Sequence, residues 1–273
     1  MQTTGNTLPL LNDLKKVDGE NINEFRQKGH TLIPKVLSRE EIDAYRPVIV
    51  NAAERYNTEN RALEDRDTYG KAFLQIMNLW RVDAGVRKFV LAKRLGKIAA
   101  DLLGVANVRI YHDQALFKEP GGGATPWHQD QYYWPVDNNK TITMWMPLVD
   151  INTDMGMLTF ASGSFAKGPV FDFEISDESE SLFDSYVADN KFDIARADTM
   201  NAGDATWHSG FTIHKAPGNC SAAMREIMTV IYVADGSRVA APQNNWQRND
   251  LKTWLMDKPV GALINSDLNP LVL

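Results

Sequence analysis

Two residues of types that commonly bind metal ions, His128 and Asp130, stand two positions apart near the middle of the chain. In an extended chain, residues i and i+2 point to the same face, so this imidazole and carboxylate would converge on one point. They would supply two of the three ligands of a 2-His-1-carboxylate triad, which suits iron(II) because it leaves coordination positions open. A His-x-Asp pair is common by chance, so the interpretation depends on a third ligand elsewhere.

Two candidates for the third ligand, His208 and His214, lie close together in the chain, and His214 follows the apolar residues 211–213 and precedes a Pro-Gly turn. Arg225 opens another apolar segment shortly afterwards. An inward-facing arginine there is costly unless a carboxylate meets its guanidinium group, which can bind a carboxylate through two hydrogen bonds. His208 is the competing third ligand, with Ser209 and Gly210 favouring a turn directly after it, and the residues alone leave the choice between the two histidines open.

Several stretches, in order along the chain, resemble the phytanoyl-CoA dioxygenase family of iron(II)- and 2-oxoglutarate-dependent oxygenases. The likeness runs from about residue 25 to about residue 270. The order and spacing of the stretches make it more specific than any single motif. The matching stretches are residues 29–41, 116–121, 127–131, 143–148, 156–164 and 214–219, followed by Arg225.

The resemblance implies roles for the candidate metal ligands and for Arg225. His128, Asp130 and His214 would bind iron(II), and Arg225 would pair with the distal carboxylate of the cosubstrate 2-oxoglutarate. Dioxygen would be the second cosubstrate. Ala216 stands where several relatives carry serine, so one hydrogen bond to the cosubstrate is expected to be missing or supplied elsewhere.

By the same resemblance, Gln114, Thr143 and Trp145 would line the cosubstrate site. Strand alternation supports part of this, because Thr141, Thr143 and Trp145 would share one face of a strand. For each of two residues, a structural alternative to the cosubstrate role stays open. In these alternatives, Gln114 only forms hydrogen bonds with backbone groups, and Trp145 only packs in the core.

The pattern of elements predicts an α+β fold, with helices first and a mainly β core after Gly104. Residues 1–20 are expected to form a loose arm. Residues 166–200, strongly acidic between 172 and 193, are expected to form either an active-site lid or a solvated surface loop. The predicted helices are 22–28, 86–103 and one that begins after the capping box at 38–41; the predicted strands are 30–36, 108–118, 141–149, 157–160, 205–215 and 225–234.

The resemblance implies that residues 1–273 form a single domain with a double-stranded β-helix. This is a jelly-roll or cupin-like barrel, here buttressed by the N-terminal helices.

The composition excludes several classes of protein. The 273 residues carry a net charge of −6 without a long basic run, which argues against nucleic acid as a partner. The single cysteine, Cys220, excludes a disulfide framework and cysteine-rich metal sites, and it is expected to be inert. No signal peptide or membrane-spanning stretch is evident, so a soluble, intracellular (cytoplasmic) protein is expected. The two remaining histidines, His30 and His112, are expected to be structural.

These expectations favour an enzyme that hydroxylates a C–H bond of a small organic substrate and releases succinate and carbon dioxide. Tyr132, Tyr133 and Trp134 would line the substrate pocket or merely cover the barrel mouth. An acidic lid over that mouth would repel a substrate with several phosphates. The alternatives are an acyl-CoA hydroxylase of the same family, a non-catalytic binding barrel, and a zinc hydrolase.

Overall fold

The computed structural model describes residues 7–170 and 177–273. Helices and antiparallel strands share the chain, which confirms the predicted α+β class. The helices are α1 (Gly19–Lys28), α2 (Arg39–Tyr56), α3 (Thr68–Ala72), α4 (Ala84–Val90), α5 (Lys93–Leu103), α6 (Asp177–Asp189) and α7 (Asn245–Trp254). The strands are β1 (His30–Ile33), β2 (Leu74–Met77), β3 (Val108–Lys118), β4 (Thr125–His128), β5 (Thr141–Pro147), β6 (Ile151–Asn152), β7 (Thr159–Ser162), β8 (Asp193–Arg196), β9 (Thr199–Met200), β10 (Ala205–Ser209), β11 (His214–Ala216) and β12 (Arg225–Ala234).

Two antiparallel sheets dominate the described residues. The larger sheet has the strand order β1-β10-β5-β12-β3-β2, and the smaller has the order β4-β11-β7-β8. Strands β6 and β9 form a separate pair. Strands β3 and β12 have the bounds predicted from the sequence, because both are long, apolar and closed by turn residues.

The N-terminal helices cover one face of the larger sheet. Ser38 and Glu41 form the predicted capping box at the start of α2. Tyr45 and Ile49 of α2 belong to the same buried cluster as Met144 of β5, and α5 contacts β3, β5 and β12. Each fully buried aliphatic side chain of this layer contributes roughly 1.5–3 kcal/mol. The layer leaves the opposite face of the sheet available for a site.

Two N-terminal predictions were wrong. Residues 86–103 form two helices, α4 and α5, and the chain becomes extended at Ala92 between them. Residues 7–18 are not a loose arm, since Leu11 and Val17 are buried. The two segments meet at one contact: the carbonyl of Leu11 accepts a hydrogen bond from the backbone N–H of Arg94 at 3.0 Å. The arm therefore satisfies a donor in the first turn of α5, a tertiary contact that local sequence does not reveal.

The predicted strand 205–215 is divided between the two sheets. Strand β10 lies in the larger sheet and β11 in the smaller, with residues 210–213 between them. A Cβ atom on Gly210 would lie 2.4 Å from the Thr141 hydroxyl and 2.6 Å from the Gln131 side chain, so only glycine fits this crossing. His208 and His214 therefore approach the site from different sheets.

The acidic segment forms helix α6 in its described part, and residues 171–176 lie outside the described residues. Phe183 and Val187 of α6 pack with Trp127 and Ile213 on the outer face of the smaller sheet. Asp184 accepts a hydrogen bond from the Trp127 indole at 2.6 Å. The described part of the segment is therefore not a lid over the site, and the charge argument against phosphate-rich substrates loses its basis. Among the described helices, none is both long and apolar enough to cross a membrane.

Candidate metal and cosubstrate site

The three predicted metal ligands converge between the two sheets. His128 ends β4 and His214 begins β11, and the two residues are directly opposite each other in the antiparallel pairing. Opposite residues of such a pair project to the same face, and their ring centroids are 4.1 Å apart. Asp130 follows β4 in a short turn, with its Oδ1 atom 3.5 Å from Nε2 of His128 and 3.7 Å from Nε2 of His214. Nitrogen and oxygen donors thus lie within 4.8 Å of one another.

Backbone carbonyls fix the tautomer of both histidines. Nδ1 of His128 lies 2.9 Å from the Pro126 carbonyl, and Nδ1 of His214 lies 3.0 Å from the Thr212 carbonyl. A carbonyl only accepts, so each Nδ1 carries the proton and each Nε2 presents a lone pair. Burial, and then the neighbouring His128 and His208, lower the pKa of His214 well below its ordinary value, which keeps this imidazole neutral.

The second carboxylate oxygen of Asp130, Oδ2, contacts two side chains outside the ligand cluster. Its Oδ2 atom accepts a hydrogen bond from the Thr143 hydroxyl at 2.9 Å and lies 3.2 Å from Nε2 of His208. Burial opposes ionisation of Asp130, but His214, His128 and His208 hold the pKa of the carboxyl group well below its ordinary value. His208, the competing third ligand, therefore contacts the oxygen that faces away from the cluster.

Arg225 lies at the start of β12 and is 2% exposed. Its Nη1 donates to the Gly156 carbonyl at 2.6 Å, whereas its Nε has no partner among the described residues. The guanidinium carbon lies 5.5 Å from the centre of the Trp145 ring. Burial lowers the pKa of Arg225 to about 9. A buried cation without a carboxylate is unfavourable unless an anionic ligand completes the site.

One cavity of about 490 Å³ contains both the ligand cluster and Arg225. Both sheets contribute to its walls. Thr143, Trp145 and Ala216 line it. Gln114 also lines it, with its Oε1 accepting from Gln75 at 2.9 Å and its Nε2 lying 3.4 Å from Nδ1 of His112.

The outer part of the cavity differs partly from the sequence prediction. Tyr133 and Trp134 line it, whereas Tyr132 does not and instead packs edge-on against the Tyr133 ring. His112, expected to be structural, lines the cavity as well. Helix α7 contributes four lining residues that were not predicted from the sequence: Trp246, Asn249, Asp250 and Trp254. The four-residue spacing of Trp246, Asp250 and Trp254 is a detectable signal of one helical face.

Three comparisons place the chain among known proteins. It is 24% identical over 231 residues to a protein of Stutzerimonas stutzeri named probable alpha-ketoglutarate-dependent hypophosphite dioxygenase. The aligned region covers 79% of this chain and 78% of that protein. It resembles the crystal structure of the non-heme alpha-ketoglutarate-dependent carbocyclase SnoK from nogalamycin biosynthesis, with a TM-score of 0.78, 25% identity and coverage of 94% of this chain and 97% of SnoK. The epimerase SnoN, solved with Fe³⁺, alpha-ketoglutarate and nogalamycin RO, has a TM-score of 0.71 and 20% identity, with coverage of 93% of this chain and 98% of SnoN.

A family model described as phytanoyl-CoA dioxygenase (PhyH) matches residues 25–227, a span that begins in α1 and ends in β12. That span includes the clustered side chains of His128, Asp130 and His214 and the buried Arg225. Since it also makes up most of the 273 residues, the protein belongs to the phytanoyl-CoA dioxygenase family.

Proposed function

We propose that the protein is an iron(II)- and 2-oxoglutarate-dependent dioxygenase that hydroxylates a C–H bond of a small organic substrate. The observation that carries the proposal is the buried Arg225, which has no carboxylate partner among the described residues and lines the same cavity as the His-Asp-His cluster. A metal site alone would also suit a zinc hydrolase, whereas a buried arginine beside it is what a dicarboxylate cosubstrate such as 2-oxoglutarate requires. The expected products from the cosubstrate are succinate and carbon dioxide.

The donor set fits iron(II), because two neutral imidazoles and one carboxylate leave coordination positions for other ligands. His128, Asp130 and His214 would hold the ion. When bound, iron(II) supplies the activation of dioxygen that is coupled to decarboxylation of 2-oxoglutarate.

The protein's own residues supply binding and orientation. Thr143 and His208 hold Oδ2 of Asp130, so that Oδ1 faces the two imidazoles. Arg225 would bind the distal carboxylate of 2-oxoglutarate, with the Trp145 ring beside it. Because Arg225 is buried, a charge-assisted pair there is sheltered from water and is stronger than at the surface.

We also propose that the two sheets form the double-stranded β-helix implied by the family resemblance and that residues 1–273 act as one domain. The cavity between the sheets supports the first proposal, since β3, β5, β10 and β12 line it from one side and β4 and β11 from the other. Packing of both chain ends supports the second, because Leu11 and Val272 belong to the same buried cluster.

The aromatic outer end of the cavity supports an organic substrate. Tyr133, Trp134, Trp246 and Trp254 line it. Apolar and aromatic walls with few polar groups are typical of sites for small organic molecules. A small inorganic anion, as in the name of the Stutzerimonas stutzeri relative, would not fill the space between these rings.

The test measures iron content, 2-oxoglutarate binding and succinate release. Asp130→Ala is expected to lose both iron and turnover, because it removes the only carboxylate of the cluster. Asp198→Ala, at an exposed position before β9, is the matched control and is expected to keep both. Full iron content in Asp130→Ala would show that the ligands are assigned wrongly, and a purified protein that binds zinc but no 2-oxoglutarate would favour the hydrolase.

A further inference from the structure

Helix α7 presents a buried acid to the outer end of the cavity. Trp246, Asp250 and Trp254 recur every four residues, so they lie along one face of the helix, and all three line the cavity. Asp250 is 9% exposed. A carboxyl group is therefore enclosed between two indole side chains, at the end of the cavity that Arg225 does not occupy.

The hydrogen bonds of Asp250 come from neutral donors. The hydroxyl of the fully buried Tyr111 donates to Oδ2 at 3.0 Å, and the Trp254 side chain also forms a hydrogen bond with the carboxyl group. Burial raises the pKa of Asp250 to about 7, and among the described residues no basic side chain counters that effect. The carboxyl group is positioned by its neighbours, and no ion pair with a basic side chain holds it within the part of the chain that the structure describes.

The surrounding aromatic rings favour a cation rather than an anion. Tyr133 packs edge-on against Trp246, with ring centroids 5.8 Å apart, and Trp134 lines the same end of the cavity. The faces of such rings carry negative electrostatic potential and attract ammonium groups. His112 does not provide the missing charge, because burial lowers its pKa to about 3 and keeps the imidazole neutral.

The charges of the rest of the site are already balanced if the proposed function holds. An iron(II) ion and Arg225 would together neutralise Asp130 and the two carboxylates of 2-oxoglutarate. Asp250 then remains as an uncompensated acid facing the substrate. Asp67, which also lines the cavity, has the same sign.

We propose that Asp250, together with Trp246 and Trp254, binds a protonated amino group of the substrate. The substrate class is thus an apolar or ring-bearing amine, with its ammonium group at Asp250 and its ring against the aromatic walls. This proposal rests on the proposed function for the reaction, but amine recognition by α7 is a separate property that binding measurements can test without turnover.

The test compares amines with neutral analogues of the same shape by isothermal titration calorimetry at pH 8. The probes are 2-phenylethylamine and tryptamine, each paired with its alcohol, 2-phenylethanol and tryptophol. Wild-type protein is expected to bind each amine about tenfold or more tightly than its alcohol, as expected for a charge-assisted hydrogen bond. The comparison needs no variant, so it stands even if a substituted protein fails to fold.

Asp250→Asn keeps the shape and an oxygen that accepts from Tyr111, and it is expected to abolish the preference for amines. Asp257→Asn is the matched control. It removes the same charge at an exposed position with φ 56°, a left-handed conformation that asparagine tolerates. Equal binding of amines and alcohols, absence of amine binding, or a preference that survives in Asp250→Asn would each overturn the proposal. Binding of 2-oxoglutarate in the same samples reports separately on the proposed function.

Discussion

Replacing Arg225 by methionine is expected to stabilise the ligand-free protein while it destroys the affinity for 2-oxoglutarate. The two effects have one cause: the folded protein holds a buried positive charge for a ligand that is absent. Methionine fills much of the same volume and requires no counter-ion. Stability and binding should therefore change in opposite directions.

The magnitude follows from the environment of the guanidinium group. The lowering of the pKa of Arg225 to about 9 corresponds to a desolvation penalty of roughly 4–5 kcal/mol, at about 1.4 kcal/mol per pKa unit. Against this, the substitution leaves the Gly156 carbonyl without its donor, which costs about 1–3 kcal/mol. The net gain in the free energy of unfolding is about 2 kcal/mol, or roughly 4–8 °C in Tm.

The loss of affinity is larger than the gain in stability. Truncating one partner of a buried charge pair costs about 2–5 kcal/mol, which raises the Kd for 2-oxoglutarate roughly 30-fold to several thousandfold. Calorimetric titration with 2-oxoglutarate and thermal unfolding without ligand measure the two effects on the same sample. Iron content should stay at the wild-type level, since Arg225 is not a metal ligand.

The matched control is Arg46→Met. Arg46 forms two hydrogen bonds of 2.6 and 2.7 Å with the buried Glu226, the residue that follows Arg225. Its loss leaves Glu226 unpaired, so Tm is expected to fall while the affinity for 2-oxoglutarate stays the same. The reasoning is refuted if Arg225→Met lowers Tm as Arg46→Met does, or if it binds 2-oxoglutarate with wild-type affinity.

Three further predictions concern the support of the site. Gly156→Ala should weaken 2-oxoglutarate binding in titrations, because its φ is +77° and a Cβ atom there would lie 2.4 Å from a backbone carbonyl and 3.2 Å from Arg225; unchanged affinity would contradict this. Thr143→Val should lower iron affinity about tenfold in a competition assay with a chelator, since Asp130 loses a hydrogen bond that orients it. Burial, and then Arg225, lower the pKa of Lys118 to about 7 in the folded protein. Above that pH, the lysine is therefore deprotonated in the folded protein but still protonated in the unfolded chain. The free energy of unfolding contributed by this group should therefore rise from about pH 7 to the ordinary lysine pKa, and chemical denaturation of Lys118→Met should show a flatter profile.

The sequence predicted the elements whose signals are local. The capping box at Ser38 and strands β3 and β12 depend on short-range periodicity and turn chemistry, and the structure confirms them. The alternation along β5 also held, with Thr143 and Trp145 toward the cavity and Met144 in the core. Contacts between distant segments were not predictable, as shown by the break before α5 and by the position of α6 on the outer face of the smaller sheet.

The sequence by itself determined which residue types are available for the chemistry. The possible metal sites are restricted by the sequence, because it contains only five histidines and one of them forms a His-x-Asp pair. The arginine that opens a strand marks a possible site for a carboxylate ligand, because a guanidinium group binds carboxylates. Tertiary structure decided how these groups are arranged. His214 joins the ligand cluster and His208 supports Asp130 from behind, because the chain crosses from the larger to the smaller sheet between them. It also decided that Asp250 of α7 faces the cavity, since only packing brings a C-terminal helix to the mouth of a site built from distant strands.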